Sequence, residues 1–243
     1  MIKWPAGVNC ISFKTIDSTN KESARRAADT FAPLWILADE QSEGVGRRGR
    51  AWSSQKGNFS ATLLMPISDG LSTVALYSFV ASLALRDALV HITGSPERFD
   101  LKWPNDVLME GGKVAGILLE TCGINSSHLS IGIGVNLAIP PELKKIEKGS
   151  TPPRCLNGII EASNFLKIVA HFFSIRETQF KSYGFASIRS DWLQNAAKLG
   201  EIITARLSNN EITGIFDTVD EQGGVVLQAG DTRHVIHAAD IFF

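Results

Sequence analysis

"GVGRRGRAW", residues 44–52, decides between two fold classes. Its glycines match G-x-G-x-x-G. In a doubly wound α/β sheet that loop follows a strand, opens a helix and precedes an acidic residue ~20 positions on. The strand is present, because "LWILADEQ" (34–41) is apolar enough to be buried. The continuation does not fit. "AWSSQKGNFSATLL" (51–64) lacks a helical apolar stripe, and the segment ~20 residues beyond the loop is "MPISDG" (65–70), not a second strand ending in an acid. Arg47 and Arg48 also stand where a dinucleotide loop takes small residues. What remains is glycine backbone that lets a ligand approach closely, with Arg47, Arg48 and Arg50 as forked donors to phosphate or carboxylate. Taken alone, the segment reads equally well as a solvated basic turn.

Outward from this loop the pattern is α+β. "VNCISFKTI" (8–16) alternates as a strand, and "DSTNKESARRAADT" (17–30) opens a helix with capping-box spacing from Thr19 to Glu22. "NFSATLLMPI" (58–67) is the next strand, and 72–93 carries a helical stripe of Leu76, Phe79, Val80 and Leu83. "FDLKWPND" (99–106) enters as a strand ending at Pro104. "VLMEGGKVAGILLE" (107–120) pairs two apolar runs across Gly111-Gly112, and "HLSIGIGVNLAI" (128–139) adds another strand. Strands dominate without regular βαβ alternation. Residues 138–157 read as a surface connection, 161–182 and 185–198 as helices. The last ~45 residues read as short antiparallel strands of a barrel-like appendix.

Composition narrows the function classes. With 243 residues, 44% hydrophobic, 20% charged and a formal charge of −1, the chain is an ordinary globular protein with no global field for nucleic acid. Its three cysteines show no C-x-x-C spacing and read as free thiols in a reducing compartment. No signal peptide is visible and no apolar run approaches the ~20 residues of a membrane span, so the expectation is cytoplasmic, with no membrane partner. His234 and His237 make a poor metal pair on a strand. "SIRSDW" (187–192) reads as a solvated helix face, and Trp4, Trp35, Trp103 and Trp192 as core or interface aromatics.

A second constellation surrounds "LKWPNDVLMEGGKVAGILLE" (101–120). Asn105 and Asp106 stand at the mouth of a strand, where a carboxylate beside an amide suits Mg²⁺ shared with substrate phosphates. The hairpin returns Lys113 nearby as a mobile positive charge. "IGIGVN" (131–136) places Gly132, Gly134 and Asn136 on one strand, where another backbone or a ligand packs close.

"DSTN" (17–20), "EQSEGVGRRGRAW" (40–52), "KWPND" (102–106), "GGKVAGILLE" (111–120) and "IGIGVN" (131–136) together resemble the biotin protein ligases, in order and spacing, over roughly residues 8–140. The resemblance implies an α+β catalytic domain over 1–198, a mixed sheet flanked by helices as in lipoate ligases and class II aminoacyl-tRNA synthetases. A small Src-homology-3-like β-barrel follows over 199–243. It implies ATP-dependent formation of biotinyl-5′-AMP, with Mg²⁺, then transfer of biotin to a lysine of a biotin carboxyl carrier domain, that of acetyl-CoA carboxylase being the expected acceptor. A homodimer is compatible with it.

Carried onto this sequence, the family's biotin contacts fall on Ser18, Thr19, Gln41, Gly44, Val45, Trp52, Lys113, Gly116 and Gly132. The nucleotide contacts fall on Arg47, Arg50, Trp52, Asn105, Lys113 and Asn136, with Asn105 and Asp106 at the metal and phosphates. Lys113, with Arg47 and Asp106, is the catalytic expectation.

Two positions depart from the family pattern. Glu43 stands where alanine is usual and Val45 where arginine is usual, each worth on the order of 1 kcal/mol against an anionic ligand. Glu43 is free to pair with Arg47 or Arg48. Only seventeen residues precede Ser18 and they read as a strand, leaving no room for a helix-turn-helix domain. The competing readings are a lipoate or octanoate ligase and a non-catalytic biotin or adenylate binder.

Overall fold

The computed structural model describes residues 1–67, 70–141, 151–207 and 209–243. The middle of the 138–157 connection therefore lies outside the described residues. Seven strands, β1 (Asn9–Ile16), β2 (Leu34–Gln41), β3 (Phe59–Pro66), β4 (Phe99–Lys102), β5 (Asp106–Met109), β6 (Gly112–Cys122) and β7 (His128–Val135), form one sheet ordered β1-β2-β3-β7-β6-β5-β4. Only β1 and β2 run parallel; the remaining neighbours are antiparallel. The sheet is mixed, as an α+β fold requires, and not doubly wound.

The two faces of this sheet carry different chemistry. Ser60, Gly134, Gly116, Asp106 and Lys102 are successive cross-strand partners from β3 to β4, so they share one face. One residue along, Ala61, Ile133 and Ile117 pair on the opposite face and enter the core. That apolar face packs on α2 (Tyr77–Thr93) and on α3 (Ala162–Leu193). Edge-to-face pairs such as Trp35–Phe173 and Phe59–Phe165 join the layers, with centroids 6.2 and 5.2 Å apart. The period-2 alternation of "IGIGVN" thus separates a packed face from a face with room above its glycines.

Several sequence expectations change. Helix α1 (Thr19–Arg26) is capped by Ser18, not Thr19: Ser18 is extended (φ −157°) and its Oγ accepts from Lys21 N at 3.5 Å. Glu22 then pairs with Arg25 and Arg26 instead of closing a capping box. The β5–β6 turn is Glu110-Gly111, both at positive φ (51° and 75°), and Gly112 opens β6 opposite Met109. The segment 72–93 begins as a 3-10 helix (Leu71–Leu76). Contrary to expectation, Thr73–Thr93 is by length and composition apolar enough to cross a bilayer, but most of it is buried in the protein interior. "SIRSDW" is not a solvated face, because Ile188 and Trp192 are buried and Asp191 pairs with Arg176 at 2.6 Å. Trp4, by contrast, is partly exposed.

The helical region breaks where expected, at Gly184 (φ 72°), but its second piece ends at Leu193. The chain then pairs with β4, Leu101 N donating to Asn195 O at 2.7 Å and Ala197 N to Leu101 O at 2.8 Å. Beyond it, β8 (Ile202–Arg206), β9 (Glu211–Val219), β10 (Val225–Ala229), β11 (Thr232–Ile236) and β12 (Asp240–Phe242) form an antiparallel sheet ordered β11-β10-β9-β8-β12. Its apolar residues Ile203, Phe216, Leu227 and Ile241 join the same core cluster as the large sheet.

Candidate active site

The chemistry gathers on the glycine face. At one end, Gln41 Oε1 accepts from Thr19 N at 2.7 Å and Thr19 Oγ1 at 3.0 Å, while Gln41 Nε2 donates to Ser54 Oγ at 2.7 Å. Thr62 Oγ1 donates to Thr19 Oγ1 at 2.8 Å, and Thr62 is buried. Ser18 and Thr19 are oriented by Asp17, whose Oδ1 accepts from Ser18 N and whose carboxylate takes a two-pronged bond from Arg25 at 2.7 and 2.9 Å. The Arg25 fork, then the Ser18 N–H, hold the Asp17 carboxyl well below the usual carboxylate range. An open cavity of about 300 Å³ lies beside this cluster, walled by Thr15, Gln41, Ser54 and Gln55.

The Gly/Arg loop has a defined shape and is more than a flexible turn. Gly46 N donates to Arg50 O at 2.7 Å and Trp52 N to Gly44 O at 2.8 Å, with a Val45–Ala51 bridge between them. Gly44 is required for this closure: a Cβ there would lie 2.7 Å from Trp52 O and 2.9 Å from Ser54 Oγ. The loop turns back through Arg48, at φ 56° in the left-handed region. The closed loop lays the Trp52 indole directly on the glycines. A Cβ on Gly134 would meet Trp52 Nε1 at 2.3 Å, and one on Gly116 would meet Trp52 Cζ3 at 3.3 Å.

Lys113 reaches this face through a β-bulge. Strict alternation would set residues 113 and 116 on opposite faces. However, Val107 pairs with Ala115 and Leu108 with Lys113, so Val114 has no counterpart on β5. The extra residue reverses the alternation and re-aims Lys113 beside Asp106. Its Nζ lies 2.7 Å from Asp106 Oδ1 and 5.5 Å from the Trp52 ring centroid. Residues 152–154 hold the bulge from the other edge: Lys113 N donates to Pro152 O at 2.7 Å and Arg154 N to Lys113 O at 2.8 Å.

The structure distributes the other expected residues unevenly. Arg47 Nη1 lies 3.4 Å from Asn105 Oδ1, and burial pushes the Arg47 guanidinium below its ordinary value while Asp240 and Asp106 oppose that shift. Asn105 Nδ2 donates to Ile117 O at 2.6 Å. Arg48 and Arg50 both bind the Asp240 carboxylate of β12, Arg48 at 2.7 Å. Glu43 pairs with Lys21 of α1, not with Arg47 or Arg48. Asn136 is buried and its Nδ2 donates to Arg154 O at 3.0 Å. Gly132 carries the Asn20 amide, a Cβ there lying 2.3 Å from Asn20 Oδ1. Val45 is exposed in the loop bridge.

Sequence reasoning missed Asp17, Asn20, Ser54, Thr62 and Asp240; Asp17 acts through its near neighbours Ser18 and Arg25, and the others through partners more distant in the chain. Only Asp17 and Asn20, inside "DSTN", had a local signal.

For a metal, Asp106 Oδ1 is buried and takes no hydrogen bond from the described groups beyond its contact with Lys113. No group of three or more His, Cys, Asp or Glu side chains suited to a metal occurs among the described residues. One carboxylate beside an amide oxygen fits Mg²⁺ held mostly by substrate phosphates, and not a cation caged by protein.

Residues 12–136 match the biotin/lipoate A/B protein ligase family, and 198–243 match the biotin protein ligase C terminal domain. A biotin–[acetyl-CoA-carboxylase] ligase of Paracoccus denitrificans is 45% identical over 233 residues, covering 93% of this chain and 97% of that one. The chain belongs to the biotin protein ligase family. Among solved structures, the biotin protein ligase from Aquifex aeolicus in complex with biotin and ATP superposes with a TM-score of 0.81 at 28% identity, covering 96% of this chain and 98% of that one. The bifunctional ligase/repressor BirA of Bacillus subtilis is 29% identical over 246 residues, 97% of this chain but 74% of its own length. As a biotin protein ligase, the chain has the α+β architecture, and its C-terminal antiparallel sheet falls in the family's C-terminal domain.

Proposed function

We infer that the chain activates biotin with ATP and transfers it to a carrier-protein lysine. In the first step a biotin carboxylate oxygen bonds to the α-phosphorus of ATP and pyrophosphate leaves. In the second, the carrier amine attacks the acyl carbon of biotinyl-5′-AMP, loses a proton, and AMP departs. The observation that carries this reading is the bulge-directed Lys113 ammonium, beside Asp106 and against the Trp52 indole over Gly116. There a cation meets both a ligand carboxylate and the α-phosphate, and it spreads the negative charge that grows as they join. Ser18, Thr19 and Gln41 offer the paired donors and acceptors that a ureido ring needs, at the end where Gln41 is fixed by Thr19 and Ser54.

Gly44, Val45 and Gly132 would supply close backbone, and Trp52 would wall the acyl chain. Arg47, Arg50, Asn105 and Asn136 would serve the nucleotide, with Asn105 and Asp106 toward Mg²⁺, which neutralises phosphate charge when bound. The closed loop would keep water from the mixed anhydride.

The acceptor we propose is the biotin carboxyl carrier domain of acetyl-CoA carboxylase, without nucleic acid as a partner. The three cysteines, all free thiols, support a cytoplasmic site. We place the domain boundary at 198/199, after residues 195–197 pair with β4. Two copies could join through the sheet edge at β1.

The test incubates the chain with ATP, Mg²⁺ and apo carrier domain, offering biotin or lipoate separately. Avidin-detectable carrier with biotin alone supports the assignment. Modification with lipoate alone overturns it, and so does tight biotin binding without transfer.

A further inference from the structure

Thr62 is a buried hydroxyl on a strand where an apolar residue would pack at lower cost. It is fully buried on the glycine face of β3, between Ile36 of β2 and Gly132 of β7. Valine has the same β-branched shape, suits a strand equally well and brings no polar group to desolvate. The hydroxyl itself therefore needs an account.

That account lies in the proton count. Thr62 Oγ1 carries one proton and lies 2.8 Å from Thr19 Oγ1 and 2.6 Å from Asn20 Oδ1, so the two acceptors share it in a three-centre bond. Asn20 cannot turn its amide nitrogen toward Thr62, because Nδ2 donates to the Glu120 carboxylate at 2.6 Å and a carboxylate only accepts. Thr19 Oγ1 spends its own proton on Gln41 Oε1 at 3.0 Å. Gln41 Oε1 is then saturated, since Thr19 N also donates to it at 2.7 Å. A hydroxyl oxygen has two lone pairs, and Thr62 takes one on Thr19 Oγ1. One lone pair is left for a ligand, and no proton. Thr19 thus meets the ligand as an acceptor.

We propose that Thr62 is a positioning residue that commits Thr19 to accept, so that the site selects a ring bringing an N–H to it. The proposal rests on the biotin reading given above, in which the ureido ring lies at Ser18, Thr19 and Gln41. Thr62 itself touches no ligand. Without its donor, the Thr19 hydroxyl rotates about its C–O bond and offers either a proton or a lone pair. Selection for an N–H is then lost, together with part of the affinity. Water does not replace the missing donor, because the position is closed to solvent.

Cyclic carbamate analogues of biotin, each with one ring N–H replaced by oxygen, read this polarity. In calorimetric titration without ATP, the unaltered protein should bind one of the two carbamates about tenfold or more weaker than biotin. That is the cost of facing a buried acceptor with no donor. In Thr62→Val the dissociation constant for biotin rises about five- to tenfold, the worth of one neutral hydrogen bond. The penalty for the carbamate shrinks to about threefold or less, because Thr19 now turns its proton to the ring oxygen. Thr62→Ser keeps the donor and restores affinity and discrimination to within about twofold. In all variants KM for ATP stays within about twofold of the unaltered protein. If Thr62→Val does not fold, Thr62→Ala carries the same comparison.

The proposal is overturned if the unaltered protein binds both carbamates as well as biotin, or if folded Thr62→Val binds biotin unchanged. It is equally overturned if biotin and both carbamates weaken by a common factor, which would mean that Thr62 only packs. Failure of Thr62→Ser to restore discrimination overturns it as well. If the unaltered protein does not bind biotin at all, the biotin reading itself has failed, independently of Thr62.

Discussion

A methyl group on Gly134 tests whether Trp52 roofs the acyl slot. A Cβ there lies 2.3 Å from Trp52 Cε2 and Nε1 and 2.6 Å from Cζ2, whereas ordinary contact begins near 3.4 Å. One partner must move by about 1 Å, a displacement that at a catalytic site can cost ~10²-fold. The β7 backbone cannot yield easily, because Gly134 pairs with Ser60 on one side and Gly116 on the other. The indole, on a loop, moves instead. Overpacking costs typically 1–3 kcal/mol, and replacing glycine by alanine recovers about 0.4–1 kcal/mol through the unfolded chain. The net loss of stability is therefore at most about 2.5 kcal/mol, while the site loses its roof.

We expect Gly134→Ala to remain folded by calorimetry, with biotin-dependent ATP–pyrophosphate exchange reduced ~10²-fold in kcat/KM. Gly116→Ala is the graded control. Its Cβ would lie 3.3 Å from Lys113 Cε, Lys113 Nζ and Trp52 Cζ3, so neighbours need shift only by tenths of an ångström and the loss is smaller. Unchanged biotin affinity and exchange in folded Gly134→Ala would refute the placement of Trp52 over the slot.

Lys113→Ala should leave the fold intact and lower adenylate formation by ~10²–10³-fold, measured as biotin-dependent pyrophosphate release; near-normal adenylation would remove Lys113 from its role. Asp240→Asn releases the clamp on Arg48 and Arg50, so trypsin should cut the unliganded loop after those arginines faster than in the unaltered protein, with little change in thermal midpoint. Asp17→Asn should lower the thermal midpoint at pH 7 by a small amount, since the pair with Arg25 is largely exposed. The folded Asp17 carboxyl lies below its unfolded value of about 3.9, so its contribution is present above that pH and fades as pH falls toward the native value. A melting series from pH 7 to pH 2 should show the two proteins converging.

Much of the site was legible before the fold. Glycines recurring every second residue in "IGIGVN" announced a strand with one bare face, and the structure covers that face with Trp52 and Asn20. The Gly/Arg loop failed as a dinucleotide loop on its own continuation, and the sheet proved mixed. The errors fell where local rules compete. Ser18 and Thr19 both suit an N-cap, and Ser18 took the extended backbone that a cap needs. Glu43 had Arg47 and Arg48 near in sequence, but Lys21, one helical turn into α1, holds it.

What the sequence determined by itself is whatever depends on neighbours along the chain: element periodicity, the ordered motifs, and the residue types able to meet a carboxylate and a phosphate. What only tertiary structure decided is register and long-range pairing. A strand's alternation assigns faces only until a bulge intervenes, and the bulge at Val114 is visible only once β5 and β6 are paired. Likewise Arg48 and Arg50 meet Asp240 from the far end of the chain because two sheets share one core. Short-range patterns encode direction along a strand, whereas the contacts that aim Lys113 and clamp the loop arise from packing, which no local pattern specifies.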